Sequence, residues 1–336
     1  MKQALSGLTP EQINKQCLLD KKFIGKQIFS WIQKPVLDFD KMTNISSVLR
    51  EKLEKKHKIL SSRILGHQED EYGTQKILIE LEDKHRIETV LLNDGKDRQT
   101  ICLSTQAGCA MKCRFCRTGE MGFKRNLTHY EIIEQYLLMA EKFGNISNVV
   151  FMGMGEPLLN LPEVRKAVKI LHHLDGQNIS LRKMTLSTCG IVKGIKEMTQ
   201  EGPHIRLALS LFSVDQAVRK QFMPCTKKNP LEDLKEALVE YQAVMKREVT
   251  LEITMIKSIN DSAQAARAIL SWIKPLRVNI NLIPLNPGPD SELKAPSPES
   301  VNSFKSILQG AGFSVSQRFQ KGDSISAACG QLASFT

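Results

Sequence analysis

The 336-residue sequence has no apolar run long enough to span a bilayer. Its opening stretch, Met1 to Pro10, lacks the apolar segment of a secretory signal. A soluble, cytoplasmic protein with no membrane partner is therefore expected. Internal repeats and low-complexity tracts are missing as well, so the chain reads as ordinary folded domains. Cytosolic thiols are kept reduced, which argues against a disulfide framework for the eight cysteines: Cys17, Cys102, Cys109, Cys113, Cys116, Cys189, Cys225 and Cys329. Three of them crowd between positions 109 and 116, and no fourth Cys or His lies close by; His129 is the nearest. A closed tetrahedral zinc site is thus not offered locally.

What is present begins with charge. The chain carries a net +11 with a pI near 9.2. Residues 1–58 hold 12 Lys and Arg against 6 Asp and Glu. Polyanionic partners suit such a balance, although charge alone does not separate a nucleic-acid binder from a basic soluble protein.

The first sixty residues read as small helices. Thr9-Pro10-Glu11-Gln12 is a helix start, and Phe23, Ile24, Ile28, Phe29 and Ile32 recur at helical spacing. From Ser61 onward the texture is strand-like, broken by turns such as Asn93-Asp94-Gly95. Strands and helices then alternate. The expected strands are Thr100–Thr105, Asn148–Met154, Lys183–Thr188, Ile205–Phe212, Val249–Ile256 and Val278–Pro284. The helical stretches between and after them include His129–Phe143, Leu161–His173, Leu231–Met245, Ala263–Ile273 and Ser300–Gly310. Such alternation implies a parallel sheet clad in helices, here an α/β fold: a partial (β/α)6 TIM-like barrel behind a small N-terminal helical domain. The expected divisions are 1–60, helical and basic; 61–98, a β-rich linker or extension; and 99–336, the barrel core with a C-terminal cysteine loop. Chemistry in such barrels gathers at the C-terminal ends of the strands.

There stands Cys109-Ala-Met-Lys-Cys113-Arg-Phe-Cys116, spaced C-x3-C-x2-C. Three thiolates can hold three irons of a 4Fe-4S cluster and leave the fourth open. An open iron can be chelated by the amino and carboxylate groups of S-adenosylmethionine (SAM). An electron from the cluster can then cleave a sulfonium C–S bond and release a 5′-deoxyadenosyl radical.

Four motifs in this order carry a resemblance. They are the Cys109–Cys116 loop with Phe115 before its last cysteine, Met152-Gly-Met-Gly155-Glu156-Pro157, Leu186-Ser187-Thr188, and the tail Ala328-Cys329-Gly330-Gln331-Leu332. Together they resemble the RlmN/Cfr family, radical SAM methyltransferases that modify adenine in 23S rRNA, and the likeness covers nearly the whole chain. The resemblance implies a radical SAM barrel with Cys109, Cys113 and Cys116 on the cluster. It implies SAM contacts from Gly155, Glu156, Ser187, Ser210, Leu211, Phe212 and Asn286. It makes Cys329 the carrier of a methyl group, Glu88 an acid/base, and Cys102 the thiol that resolves a protein–RNA adduct, leaving a Cys102–Cys329 disulfide to be reduced between turnovers. Lys321 is placed to favour the Cys329 thiolate. The substrate implied is 23S rRNA, with tRNA for some members, and an external flavodoxin-like electron donor; a monomer is expected. Pro157 is nearer the C2-methylating branch than the C8 branch, which tends to have Ala there.

Two positions depart from the family's pattern. Ser210-Leu211-Phe212 stands where Ser-Leu-His is expected, so that Phe212 replaces a histidine, and Ser326 stands where an aspartate is expected. The alternatives to C2 methylation are C8 methylation and a non-catalytic iron–sulfur or zinc protein that binds RNA. Cys17, Cys189 and Cys225 match no role and are taken as structural or incidental.

Overall fold

Runs rich in β-branched and apolar residues build a single ten-stranded sheet in the computed structural model, which describes residues 2–93, 95, 98–287, 291–317 and 322–333. Its strands are β1 (Arg63–Glu69), β2 (Gln75–Glu80), β3 (Arg86–Asn93), β4 (Gln99–Cys102), β5 (Asn148–Phe151), β6 (Met184–Thr188), β7 (Arg206–Ser210), β8 (Val249–Met255), β9 (Val278–Pro284) and β10 (Ser314–Gln317). Their order in space is their order in the chain. β1 to β4 pair antiparallel, and every pairing from β4 to β10 is parallel.

Between successive parallel strands lie the helices His129–Phe143, Leu161–Leu171, Val192–Glu201, Leu231–Met245, Ala263–Ile273 and Pro298–Gly310. Parallel neighbours require a crossover, and the helix supplies both the return path and the outer layer of core. Six strand–helix units with an edge strand after them give the expected partial barrel. Thr128 starts the first of these helices as a reciprocal cap with Glu131, and Ser262 and Ser297 cap the last two.

Several details differ from the sequence reading, strand ends among them: β5 stops at Phe151 and β7 at Ser210. β4 ends at Cys102 rather than Thr105, because the chain then bends to follow the loop after β5, where Thr105 N–H donates to the Met154 carbonyl at 2.8 Å. β10 was not anticipated, and the helix Val192–Glu201 fills the place between the third and fourth expected strands where the alternation implied a helix but none was named. Segment 61–98 adds three antiparallel strands to the barrel sheet itself, with Asp94 outside the described residues.

The N-terminal unit begins as expected. Thr9 caps Pro10–Gln16, with Gln12 returning the bond. Lys22–Gln33 buries Ile28, Phe29 and Ile32 on one face, and Ser47–Lys56 follows. Gln3–Ala4 pairs with His57–Lys58 and closes the unit on itself. One buried carboxylate fastens it to the barrel. Glu134 accepts from Ser6 Oγ at 2.8 Å, from the Ser61 and Ser62 N–H groups at 2.9 Å each, and from the Ser62 hydroxyl. Among the described residues, no helix is long and apolar enough to cross a membrane.

Candidate active site

The three clustered cysteines sit in a loop that the chain must fold tightly. Gly108, just before it, has φ +72, and a Cβ there would lie 1.8 Å from the Gly122 carbonyl oxygen. That close approach lets Cys109 N–H bond the same oxygen at 3.1 Å. A turn follows in which Cys116 N–H donates to the Cys113 carbonyl at 3.0 Å. Phe115 stacks on Phe212 with ring centroids 5.1 Å apart, and Phe212 in turn packs against Phe222. Aromatic packing thus backs the loop from behind.

Cys109, Cys113 and Cys116 line one cavity of about 150 Å3. Gly155, Glu156, Ser187, Ser210 and Asn286 line it too, from the ends of β5, β6, β7 and β9. Burial pushes the Cys109 thiol up to about 12, and burial reinforced by the neighbouring thiols also raises Cys113. Cys116 is raised as well, again by burial. Such thiols become thiolates readily only against a strong cationic partner. Among the described residues, no group of three ligating side chains is arranged to hold a single metal ion. The three thiols share one cavity with the polar strand-end residues Ser187, Ser210 and Asn286, a donor set suited in kind to a cluster and a chelating ligand.

Glu156 is fully enclosed. Its Oε2 accepts from Cys189 N–H at 2.8 Å and its Oε1 from Leu158 N–H at 3.1 Å. Burial raises its pKa against the pull of those donors. The preceding Gly155 has φ +102, and a Cβ there would meet the Gln106 side chain at 2.5 Å. Leu211 and Phe212, expected beside SAM, do not line this cavity. Both are buried, and Phe212 holds a left-handed φ of +62 while its ring supports Phe115.

A second cavity, of about 460 Å3, runs down the barrel interior. Cys102, at the end of β4, lines it. Cys329 borders both cavities, as do Cys116, Asn286 and Glu252. Cys102 is half-buried and Cys329 is exposed. Glu88 lines neither cavity. It lies behind the tail, where its Oε2 accepts from Ala333 N–H at 2.8 Å and its Oε1 faces Lys76 Nζ at 3.1 Å. Burial raises its pKa, and Lys76 opposes the rise. Two hydrogen bonds seat the tail on the cluster loop and the turn after it: Arg117 N–H to the Gly330 carbonyl at 2.8 Å, and the Thr118 hydroxyl to the Leu332 carbonyl at 2.5 Å. Ser326 adopts φ +51, a conformation that a short polar residue tolerates. Lys321 lies outside the described residues.

Two charged residues escaped the sequence reading. Glu252, on β8, accepts from Ser187 Oγ at 2.6 Å inside the barrel. Arg219 is completely buried; its guanidinium donates to the carbonyls of Leu211 at 3.0 Å and Cys189 at 2.6 Å, and to Thr226 Oγ at 2.6 Å. It fixes the loops after β6 and β7 against each other. Cys189 and Cys225, taken as incidental, pack beside the cluster loop.

A partial barrel with three cysteines in the loop after its first strand defines a radical SAM enzyme, and the Radical SAM superfamily model matches residues 103–268. The model of the ribosomal RNA large subunit methyltransferase N-terminal domain matches residues 4–59. A probable dual-specificity RNA methyltransferase RlmN of Treponema denticola is 46% identical over 333 residues, covering 99% of this chain and 96% of that protein. The dual-specificity RNA methyltransferase RlmN of a Marinomonas species is 39% identical, covering 98% of this chain and 92% of its own. A crystal structure of a radical SAM methyltransferase from Sphaerobacter thermophilus superimposes with a TM-score of 0.94 at 35% identity, covering 98% of this chain and 99% of that one. The chain belongs to the RlmN family of radical SAM RNA methyltransferases.

Proposed function

We propose that the chain methylates C2 of an adenosine in 23S rRNA, and an adenosine of tRNA as well, through a methylated Cys329. The observation that carries this reading is the position of Cys329 on the border of two cavities. One holds the three clustered thiols with Gly155 and Glu156, and the other holds Cys102. The relatives' names, dual-specificity RNA methyltransferases, support more than one RNA substrate, and the description of the N-terminal family model names ribosomal RNA.

Cys109, Cys113 and Cys116 would hold a 4Fe-4S cluster, and Gly155, Glu156, Ser187, Ser210 and Asn286 would contact SAM. Together these groups supply a transferable methyl group and, after one-electron reduction by an external flavodoxin-like donor, the means to remove a hydrogen atom. The chain's own residues do the rest. The carbon between two ring nitrogens of adenine is electron-poor and does not attack a sulfonium methyl, so a thiol must carry the carbon. Cys329 takes up the methyl as a thiolate, the competent form of the sulfur. From its border position the S-methyl group can face the SAM side first and the base afterwards. Glu88 accepts a proton as the adduct resolves, in keeping with a pKa raised by burial. Cys102, which shares the second cavity with Cys329, forms the disulfide that frees the RNA. The target base must leave its stack to enter. The basic N-terminal unit, residues 1–60, supplies phosphate contacts, and the enzyme works as a cytoplasmic monomer.

The test is nucleoside mass spectrometry of ribosomal and transfer RNA from a host lacking its own enzyme. The native chain should yield 2-methyladenosine, and Cys329→Ala should yield none. 8-Methyladenosine would overturn the C2 assignment while keeping the chemistry. Methylation surviving in Cys329→Ala would overturn the carrier mechanism.

A further inference from the structure

Lys76 is a lysine where strand chemistry favours an apolar residue. It sits in β2 (Gln75–Glu80), between buried neighbours, and its own side chain is only 9% exposed. Glu88, from β3, is its counter-ion at 3.1 Å and is 7% exposed. Replacing a buried pair of this kind by apolar residues is often neutral or stabilising, so stability alone does not account for it. The contacts of the pair supply another reason. Lys76 Nζ also donates to the Ser326 carbonyl at 3.4 Å, and Glu88 Oε2 accepts from Ala333 N–H at 2.8 Å. Ser326 precedes Cys329 and Ala333 follows it, so the two ends of one ion pair grip the two sides of the cysteine loop.

We propose that Lys76 is a positioning residue of the active site: it keeps Glu88 a charged carboxylate and, with it, seats the tail segment that carries Cys329. The acid/base part rests on the reading of Glu88 given above. The tail-seating part rests on the contacts alone. Charge favours both at once, because a carboxylate accepts the Ala333 N–H more strongly than a neutral carboxyl does. The other groups facing Glu88 are few. Arg117, from the helix after the cluster loop, adds a weaker positive influence. The Met154 sulfur meets the Glu88 N–H at 3.4 Å, and Ser104 Oγ donates to the Glu88 carbonyl at 2.6 Å; neither carries charge.

The sign of the effect follows. Burial drives Glu88 toward its neutral form and Lys76 opposes it. Without Lys76 the carboxylate forms only at higher pH.

The experiment uses the full-length, cluster-reconstituted enzyme with an RNA substrate, comparing Lys76→Met, Lys76→Arg and Glu88→Gln. Two quantities are read: the pH profile of single-turnover RNA methylation, and amide hydrogen exchange across residues 322–333. Lys76→Met should move the acidic limb upward by roughly one pH unit or more, with the rate recovering at high pH. It should also speed exchange in the tail below that limb. Lys76→Arg keeps the charge and should restore both. A native profile with native tail protection in Lys76→Met overturns the proposal. So does a loss that is independent of pH and equal in Lys76→Arg, which would mark a purely steric role. A fully active Glu88→Gln overturns the acid/base reading instead, and tail exchange in Lys76→Met then still decides whether the pair seats the loop.

Discussion

Gly155 shows how much of the site depends on single atoms that are absent. Its φ of +102 lies where L side chains rarely go, and a Cβ would press on the Gln106 side chain at 2.5 Å and its backbone nitrogen at 2.8 Å. Gln106 Oε1 is itself the acceptor for Glu156 N–H at 2.9 Å. Gly155→Ala therefore displaces the carboxylate as well as the turn. Its expected effect is a loss of SAM affinity of roughly tenfold or more, on the order of 1–3 kcal/mol for strain at such a position. Equilibrium dialysis with reconstituted enzyme checks it, and native affinity in the variant would remove Gly155 from the SAM site. The cysteine spacing stood out in the sequence by itself, whereas Gly155 was singled out only through the family resemblance, since a glycine in a strand-to-helix turn is common. Glu252 and Arg219 were not singled out, because a lone acid in a strand or a lone arginine in a short helix has the same local signature on a wet surface. Phe212 was legible as a departure from the family's pattern, but its work, stacking behind Phe115, is a tertiary contact that no local pattern encodes.

Elements were readable wherever their period was strong. The helices His129–Phe143, Leu231–Met245 and Ala263–Ile273 begin and end where the apolar spacing and flanking residues place them. β10 was missed because Ser314–Gln317 is short and mostly polar, an edge strand that owes its form to β9 beside it. The β1–β2 hairpin could be anticipated as strand and turn, but not as a clamp. At its turn Asp70 Oδ1 accepts from Tyr72 N–H at 3.0 Å and Thr74 N–H at 2.6 Å, and Oδ2 accepts from Gly322 N–H in the tail at 2.8 Å. Burial pushes this carboxyl up, but the Thr74 and Gly322 donors outweigh it and hold it below its ordinary value. A depressed carboxylate stabilises the fold above its unfolded pKa, and that contribution fades as pH falls through the folded value. Asp70→Ala is expected to cost roughly 1–3 kcal/mol, since it strands buried donors. In denaturant melts the deficit should be full at neutral pH and shrink in acid. A deficit of the same size at both pH values would contradict the role given to its charge.

At the scale of the whole molecule, the joint between the basic N-terminal unit and the barrel includes one buried carboxylate, beside contacts such as the Lys26–Asp175 ion pair and the packing of Phe29 on His173. Glu134 projects from the first barrel helix, His129–Phe143, and collects donors from Ser6 at one end of the unit and from Ser61 and Ser62 at the other. Its two oxygens meet only donors, which an amide cannot do: Glu134→Gln must turn an NH2 group toward an N–H or a hydroxyl. The glutamate is buried and its pKa raised by that burial, so the serines and backbone amides are what make its position tolerable. Glu134→Gln should lose roughly 1–3 kcal/mol of stability, and the loss should fall on the joint more than on the barrel. SAM binding should then stay near native while RNA affinity drops. The native enzyme's steep weakening with salt should flatten as phosphate contacts from residues 1–60 are lost. Titrating RNA binding against salt for both proteins tests this directly. If Glu134→Gln destabilises the chain but leaves both the affinity and the salt slope untouched, the N-terminal unit does not hold the RNA in concert with the barrel. The basic surface that grips the substrate would then have to be sought around the barrel mouth.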